Sequence, residues 1–344
     1  MKSKLFPMAL MACFFLPGSN KAEAQSPTEF YKDRTVFLQI GSGAGGAYDL
    51  TGRLFVRHMG PYIPGSPKLV PQNIPGGGSL NMANNYGKIA VRDGSVFGVF
   101  NSGMATTPLL MPNVAQFDPR QFHYLGSPSR EAHILVSWHQ SPLQKMQDAF
   151  DREIIVGATA PGGAPYEFPF LTNMLTGTKF KIVTGYKSNQ ETKLAMERGE
   201  IHATAGLGWA TAKAEYMPEI ESKRILVVAS FAFKAHPELS QYPVLPSGRT
   251  EEDRQIFQLM YARQAYGRPF ATPPGVPKER VEALRIAFEE TMKDESFLEE
   301  AKRLSIDISP VSADELTQLT VDLYKTPQSV LDRVRSILGP ATAQ

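Results

Sequence analysis

Cysteine is almost absent from this chain of 344 residues: the only one is Cys13, close to the amino terminus. Removal of the first two dozen residues would leave no disulfide, no thiolate nucleophile and no cysteine-ligated metal. Apolar runs of the ~20 residues that a membrane-spanning helix needs are also missing. The sequence therefore indicates a soluble protein without thiol chemistry.

An excess of charge of either sign is missing too. The chain has 36 basic and 34 acidic residues, and cleavage after Ala24 would bring the two numbers into balance. A protein that binds nucleic acid or an anionic membrane surface needs a basic field that this balance does not supply. We therefore expect no nucleic-acid partner.

Motifs of common enzymes are not found in the sequence. It has neither a Gly-x-Ser-x-Gly nucleophile elbow nor a His-Glu-x-x-His zinc motif. Its six histidines are scattered, and the closest pair is His133 and His139. We expect a protein that is not an enzyme and that holds neither a metal nor a cofactor.

The first residues have the pattern of a cleaved export signal. Two lysines precede an apolar core from Leu5 to Leu16, and Ala22-Glu23-Ala24 supplies the small residues of a cleavage site. We predict a signal peptide over residues 1–24, a mature chain that begins at Gln25 and a periplasmic location. Lipidation at Cys13 is the alternative.

Apolar, β-rich runs alternate with helical patterns along most of the chain, which is typical of an α/β fold with mostly parallel strands. The predicted strands are Thr35 to Ile40, Lys68 to Asn73, Val96 to Phe100, Ile154 to Thr159, Lys181 to Tyr186, His202 to Gly206 and Ile225 to Ser230. The last hundred residues are predicted to be helical over Arg254 to Tyr266, Lys278 to Lys293, Phe297 to Leu304 and Ala313 to Tyr324.

The length of the chain predicts two lobes. It exceeds the ~250–300 residues at which a single hydrophobic core stops growing. The helical tail has no strands of its own, so we expect it to pack on the lobe that is built from the start of the chain.

Two glycine-rich loops share one pattern. GSGAGGAYD runs from Gly41 to Asp49 and APGGAPYEF from Ala160 to Phe168, each between an apolar run and an amphipathic stretch. Glycines at a strand-to-helix turn let a ligand approach the main chain, and the following helix directs free N–H groups at it. We predict two anion-binding loops that grip an anionic small molecule from two sides.

Two other interpretations of the first loop stay open. Gly41-x-Gly43-x-x-Gly46 after a strand matches a dinucleotide-binding pattern, which would indicate an enzyme of dinucleotide chemistry. That pattern also needs an acidic residue about 20 residues later, where this chain has Gln72-Asn73. The second alternative is that the loop is a structural turn that binds no ligand.

Acidic and aromatic residues of the loops each have two possible roles. Asp49 and Glu167 stand at helix starts, where a carboxylate caps backbone N–H groups, unless Asp49 faces the ligand instead. The aromatic side chains either pack in the core or together form an apolar slot between the loops. They are Tyr48, Tyr166, Phe168, Tyr186 and Trp209.

Three short motifs surround the first loop. Gly45, Gly46, Asp49 and Arg53 form a Gly-Gly-x-x-Asp-x-x-x-Arg turn, and an Asn-x-Pro-Gly-x-Gly motif and an Asp-Gly motif follow at Asn73, Pro75, Gly76, Gly78, Asp93 and Gly94. In these motifs the sequence resembles the substrate-binding receptors of tripartite tricarboxylate transporters, the Bug family. The resemblance continues through GTKFKIVTGYKSNQETKLAMERGEI and RPFATPPGVPKERVEALRIAF. It covers essentially the whole mature chain.

The resemblance implies a type II periplasmic-binding-protein fold, with two α/β lobes around a central ligand cleft. The first lobe would comprise residues 25–127 plus 231–344, and the second residues 128–230. The family holds a ligand carboxylate with main-chain groups and ordered waters of the glycine loops. With the residues argued above, the predicted ligand-binding set is Ser42, Gly43, Ala44, Gly45, Gly46, Tyr48, Asp49, Asn101, Ser102, Ala160, Pro161, Gly162, Gly163, Ala164, Tyr166, Tyr186 and Trp209.

The implied function is that of a monomeric periplasmic solute-binding protein. It would capture a carboxylate-bearing small molecule and deliver it to the membrane permease subunits of a tripartite transporter. An exported ligand sensor for a signalling partner is the alternative. The aromatic residues near the loops favour a ring-bearing or bulky carboxylate.

Overall fold

The structure is a computed structural model, and it describes residues 25–158, 164–186, 188–231, 236–245 and 248–338. The predicted signal peptide, residues 1–24, lies outside these ranges. So do four predicted ligand-binding residues of the second glycine loop, Ala160, Pro161, Gly162 and Gly163. What the sequence predicts for these residues stays a prediction.

Twelve strands of the described ranges form two six-stranded sheets. They are β1 Thr35–Ile40, β2 Lys68–Asn73, β3 Val96–Val99, β4 His123–Ser127, β5 His133–Trp138, β6 Ile154–Gly157, β7 Phe180–Val183, β8 Ala203–Gly208, β9 Ile225–Phe231, β10 Val244–Leu245, β11 Phe270–Thr272 and β12 Val311–Ser312. The first sheet has the order β12-β4-β11-β3-β1-β2 and the second the order β10-β9-β5-β8-β6-β7.

Both sheets are built on the same plan. In the first, β1 pairs in parallel with β2 and β3, and the antiparallel strand β11 lies between β3 and β4. In the second, β6 pairs in parallel with β7 and β8, and the antiparallel strand β5 lies between β8 and β9. β5 is the first strand after the chain enters the second sheet, and β11 is the first strand after it returns to the first sheet.

The described helices flank the two sheets. They are α1 Pro27–Tyr31, α2 Ala47–His58, α3 Leu80–Lys88, α4 Thr107–Leu110, α5 Asp148–Asp151, α6 Ala164–Thr176, α7 Asn189–Glu197, α8 Trp209–Glu215, α9 Met217–Glu221, α10 Glu251–Tyr266, α11 Lys278–Thr291, α12 Glu295–Arg303, α13 Ala313–Leu323 and α14 Gln328–Leu338. Helices α11 and α13 pack on β4, and α12 packs on α2, so this part of the tail covers the first sheet.

Apolar clusters lie on both sheets, and one cluster contains residues of both, such as Tyr124 of β4 and Phe168 of α6. On the first sheet, Phe55 of α2 packs against Phe270 at 4.6 Å and Phe288 of α11 at 4.8 Å between ring centroids. On the second, Phe168 of α6 packs against Phe231 at 5.2 Å and Tyr261 of α10 at 4.9 Å. Burial of such rings stabilises each lobe by about 1.5–3 kcal/mol per side chain.

The α/β class and the two-lobed architecture predicted from the sequence are confirmed. All seven predicted strands are present, β1 and β2 with the predicted ends and the other five with shifted ends, and the four predicted tail helices are present as α10 to α13. The sequence interpretation missed the strands β4, β5, β10, β11 and β12. The predicted lobe boundaries stay a prediction, and β10 extends the second sheet to Leu245. None of the described helices is long and apolar enough to cross a membrane.

Two segments cross between the sheets and run side by side. The first, residues 128–132, links β4 to β5, and the second, residues 267–269, links α10 to β11. The Glu131 N–H donates to the Gln264 carbonyl at 2.9 Å, and the Arg268 N–H donates to the Ser127 hydroxyl at 2.9 Å. We call these two stretches the crossing segments.

Candidate functional site

The glycine-rich loops follow the carboxyl ends of parallel strands, as predicted. The loop after β1 leads into α2, and Asn101 and Ser102 follow β3 in the same sheet. In the second sheet, α6, α7 and α8 follow β6, β7 and β8. Ligand sites of open α/β sheets lie outside the carboxyl ends of their strands.

Asp49 supports the first loop from behind. Its side chain is 3% exposed and accepts hydrogen bonds from the Gly45 N–H at 2.8 Å, from Arg53 Nε at 2.9 Å and from Asn73 Nδ2 at 2.8 Å. Burial alone would raise the pKa of the Asp49 carboxyl, but these hydrogen bonds outweigh it, and the pKa lies below its usual range. The carboxylate therefore shapes the loop, which is the backbone-binding role predicted for it.

The motif residues Asp49, Arg53 and Asn73 form one hydrogen-bonded cluster. Arg53 also donates to the Asn73 side chain at 3.0 Å, and Asn73 donates to the Ser42 carbonyl at 3.0 Å. The cluster ties the ends of β1 and β2 together. We call these three side chains the brace of the loop. The Gly-Gly-x-x-Asp-x-x-x-Arg motif supplies Asp49 and Arg53, and the Asn-x-Pro-Gly-x-Gly motif supplies Asn73.

Ser79 and Tyr48 link the first loop to the end of β3. The Ser79 hydroxyl donates to the Gly41 carbonyl at 2.9 Å and accepts from the Asn101 N–H at 2.8 Å. The Tyr48 hydroxyl accepts from the Ser102 N–H at 3.2 Å. Asn101 and Ser102 are therefore held beside the loop, although their own N–H groups are used within the protein.

The exposed part of the first loop keeps unused donors. Gly43, Ala44 and Gly46 are exposed, and their N–H groups form no hydrogen bond with a described residue. Gly45 has a φ of +84°, in the left-handed region that favours glycine, and its N–H is already held by Asp49. The loop thus offers main-chain donors at Gly43, Ala44 and Gly46, and not at Gly45.

The described residues of the second lobe's predicted site have different environments. Tyr166 is half-buried and stacks on Phe170 with 5.7 Å between ring centroids. Trp209 is buried and its indole N–H donates to Glu238. Tyr186 is half-buried against the same apolar cluster as Trp209. Ala164 begins α6. Phe168 packs in the core, so it does not belong to an apolar slot.

Glu167 reaches towards α10. Its carboxylate forms an ion pair with Arg263 at 2.8 Å, and the Arg263 side chain passes beside Gly103, which follows β3. The capping role predicted for Glu167 stays a prediction, because the residues before α6 lie outside the described ranges. The ion pair connects α6 of the second lobe to α10.

A crevice of about 370 Å³ lies between the crossing segments and the second lobe. Its walls come from the first crossing segment, from Arg268, from the start of α6, from the end of β8 with Gly206, and from Trp209 at the start of α8. Asp307, just before β12, also lines it. Arg268 lies over the Tyr48 ring at 5.9 Å, so the crevice borders the first glycine loop. The sequence interpretation did not identify Glu131, which belongs to no motif, or Arg268, although Arg268 is the first residue of the stretch RPFATPPGVPKERVEALRIAF.

Lys213 bridges the two lobes beside this crevice. Its ammonium lies 3.0 Å from Asp307 of the first lobe and 3.0 Å from Glu238. We expect a double-mutant cycle of Lys213→Met and Asp307→Asn to give a coupling energy of about 0.5–1 kcal/mol in urea unfolding, because the pair is only partly exposed. The exposed pair Lys181 and Glu153 is the control. A coupling no larger than that of the control would contradict the prediction.

No group of three or more histidine, cysteine, aspartate or glutamate side chains in the described ranges is placed to hold a metal ion.

Comparison with known proteins identifies the fold. No protein-family model and no curated relative matches the chain. Among solved structures, the chain has the fold of two-lobed periplasmic solute-binding proteins. A TctC solute-binding protein from Polaromonas, solved without ligand, is 16% identical, with a TM-score of 0.68 over 88% of this chain and 99% of that chain. The periplasmic binding protein BugD is 17% identical, with a TM-score of 0.53 over 89% and 98%. MatC from Rhodopseudomonas palustris with bound malate is 17% identical, with a TM-score of 0.52 over 89% and 99%.

Proposed function

We propose that this protein is a periplasmic solute-binding protein of the tripartite tricarboxylate type. It captures a carboxylate-bearing small molecule between its lobes as a monomer and delivers it to the membrane permease subunits of a transporter. The observation that carries the proposal is the first glycine loop, whose exposed N–H groups are unused while Asp49 braces the loop from behind. The fold of the malate-bound MatC supports a carboxylate as the ligand class.

The second grip that we predict is in Ala160 to Tyr166, of which Ala164 and Tyr166 lie in the first turn of α6. The start of a helix favours an anion through its first N–H groups and its partial positive charge. A carboxylate held by main-chain donors at two helix starts is the arrangement that we propose for the closed protein.

A thermal-shift screen of carboxylates tests the ligand class. Malate, adipate, citrate and benzoate are the first probes, and a ligand at about 100 times its dissociation constant stabilises the protein by about 2.7 kcal/mol. We expect the ligand also to change the fluorescence of Trp209, because this side chain lines the crevice. Stabilisation by NAD without response to any carboxylate would favour the dinucleotide interpretation instead.

Gly46 offers a direct test of the main-chain grip. Its φ of −82° suits proline, so Gly46→Pro removes one N–H group without a large change in the backbone. We expect Gly46→Pro to weaken binding of the stabilising carboxylate about tenfold or more, the loss of one charge-assisted hydrogen bond.

Gly46→Ala is the matched control, because it keeps the N–H group. A Cβ at this position meets only the Gly43 carbonyl oxygen, at 3.9 Å, so the alanine variant should bind like the parent. Both variants should melt like the parent without ligand. If the proline variant and the parent bind the carboxylate with equal affinity, the Gly46 N–H group does not hold the ligand.

A further inference from the structure

Ser79 has a backbone conformation that its own helix does not explain. It is the residue before α3, where a serine usually caps the helix, but its side chain forms no capping hydrogen bond with the first N–H groups of α3. Its φ of +76° lies in the left-handed region, which is unfavourable for residues other than glycine. Three glycines with positive φ, Gly76 to Gly78, lead into it. Such strain is retained where the surrounding structure and the function require it.

The left-handed conformation brings the Ser79 hydroxyl to two other loops. The residue is 2% exposed, and its hydroxyl donates to the Gly41 carbonyl at 2.9 Å and accepts from the Asn101 N–H at 2.8 Å. Gly41 follows β1 and Asn101 follows β3, and these two strands are paired in parallel. One buried hydroxyl therefore joins the carboxyl ends of two neighbouring strands.

Gly41 makes room for this hydroxyl. A Cβ at Gly41 would overlap the Ser79 hydroxyl and would lie 2.7 Å from the Ser79 Cβ. The φ of Gly41 is not positive, so its backbone conformation does not itself require glycine. The first glycine of the Gly41-x-Gly43-x-x-Gly46 pattern thus permits the close contact with Ser79.

The two hydrogen bonds of Ser79 hold the first glycine loop at its start. From Asn101 the chain continues to Ser102, whose N–H donates to the Tyr48 hydroxyl at 3.2 Å. Tyr48 lies in the first turn of α2, at the end of the loop that begins at Gly41. The loop is therefore fixed at its start through Ser79 and at its end through Tyr48, and its exposed main-chain donors lie between these two points.

We infer that Ser79 is a positioning residue for the carboxylate grip. Its hydroxyl fixes the first loop against the segment after β3, so that Gly43, Ala44 and Gly46 keep the arrangement in which their N–H groups hold the ligand. The inference rests on the proposed function, that these main-chain donors bind the solute. Ser79 itself acts on affinity through the loop and not through a contact with the ligand.

Two variants separate the hydroxyl from the backbone strain. Ser79→Ala removes the hydroxyl and keeps a side chain in the left-handed region, whereas Ser79→Gly removes both the hydroxyl and the strain. The probe is whichever of malate, adipate, citrate and benzoate stabilises the parent most. We expect both variants to bind it about tenfold more weakly, although Ser79→Gly melts at a higher temperature than Ser79→Ala. Ser79→Gly remains informative if Ser79→Ala does not fold.

Two matched controls lie outside the candidate site. Thr250→Ala removes a hydroxyl that caps α10 and accepts from the Asp253 N–H at 3.1 Å, so it should lower the melting temperature and leave the affinity unchanged. Ser66 precedes β2 and has a φ of +46°, so Ser66→Gly should relieve strain without a change in affinity. Hydrogen exchange around Asn101, followed by mass spectrometry, should be faster in both Ser79 variants and unchanged in the controls.

The outcomes distinguish the inference from the proposed function. If a carboxylate binds the parent and the Ser79 variants equally well, the inference is wrong and the proposed function stands. Weak binding by Ser79→Ala that is restored in Ser79→Gly would show that affinity follows stability alone, and it would also overturn the inference. If none of the four carboxylates stabilises the parent, the proposed function fails, and the inference fails with it.

Discussion

Replacing Gly267 with alanine should lower the free energy of unfolding by about 3–4 kcal/mol, a loss that few single substitutions reach. Gly267 ends α10 at the second crossing segment, with a φ of +52° and a ψ of −103°, a conformation that side chains other than glycine avoid. A Cβ there would overlap the carbonyl oxygen of Ser129, and the Ser129 carbonyl carbon would lie only 2.8 Å away.

The size of this effect follows from what Gly267 touches. The obstacle is the backbone of the other crossing segment, which cannot move aside as a flexible side chain would. Gly199→Ala is the control, because Gly199 has a φ of +74° but open space around its Cβ position. That variant should lose about 1 kcal/mol from backbone strain alone. Urea unfolding measures the loss of unfolding free energy in both variants. Equal losses in Gly267→Ala and Gly199→Ala would contradict the prediction that the contact between the crossing segments matters.

Removal of the Asp49 carboxylate should have the second largest effect. Asp49→Ala leaves the Gly45 N–H, Arg53 Nε and Asn73 Nδ2 without their acceptor, and we expect a loss of about 2–3 kcal/mol in urea unfolding. Asp49→Asn keeps one acceptor oxygen and should cost about 1 kcal/mol. The carboxylate of Asp314 is 95% exposed, so Asp314→Ala is the control and should change stability little.

The contribution of Asp49 should also depend on pH in a defined direction. Because its pKa is lowered in the folded protein, the stabilisation is fully present above the unfolded pKa of about 3.9 and is lost as pH falls through the folded value. The stability difference between the parent and Asp49→Asn should therefore shrink below about pH 4. A difference that stays constant down to pH 3 would mean that the carboxylate is not the stabilising group.

The parallel strands were predictable because each is an apolar run that ends in a loop and is followed by a helix. Strands β4 and β5 do not show this strand–loop–helix pattern, because residues 128–132 connect them without a helix. Strand β11 has only three residues, Phe270–Thr272, too few to show a periodicity.

The candidate site was predictable only in part. The motif pointed to Asp49 and Arg53, but only the structure shows that the Asp49 carboxylate turns away from the exposed face of the loop and holds Gly45. Glu131 and Arg268 line the same crevice because two distant segments cross beside each other. No local sequence pattern predicts that residues so far apart in the chain lie in one crevice.

The position of β11 has a consequence for the order in which the lobes form. All strands of the second sheet come from the continuous stretch 133–245, so that sheet can complete its pairing as soon as this stretch is available. The first sheet is complete only when β11 pairs with β3 and β4, which come before the second sheet's strands in the chain. The chain between β4 and β11 forms a long loop, and such non-local pairing is slow. Until then β3 and β4 have unpaired edges, which are templates for aggregation. During biogenesis the vulnerable part of this chain is therefore its amino-terminal lobe, although in the finished molecule that lobe carries the braced glycine loop.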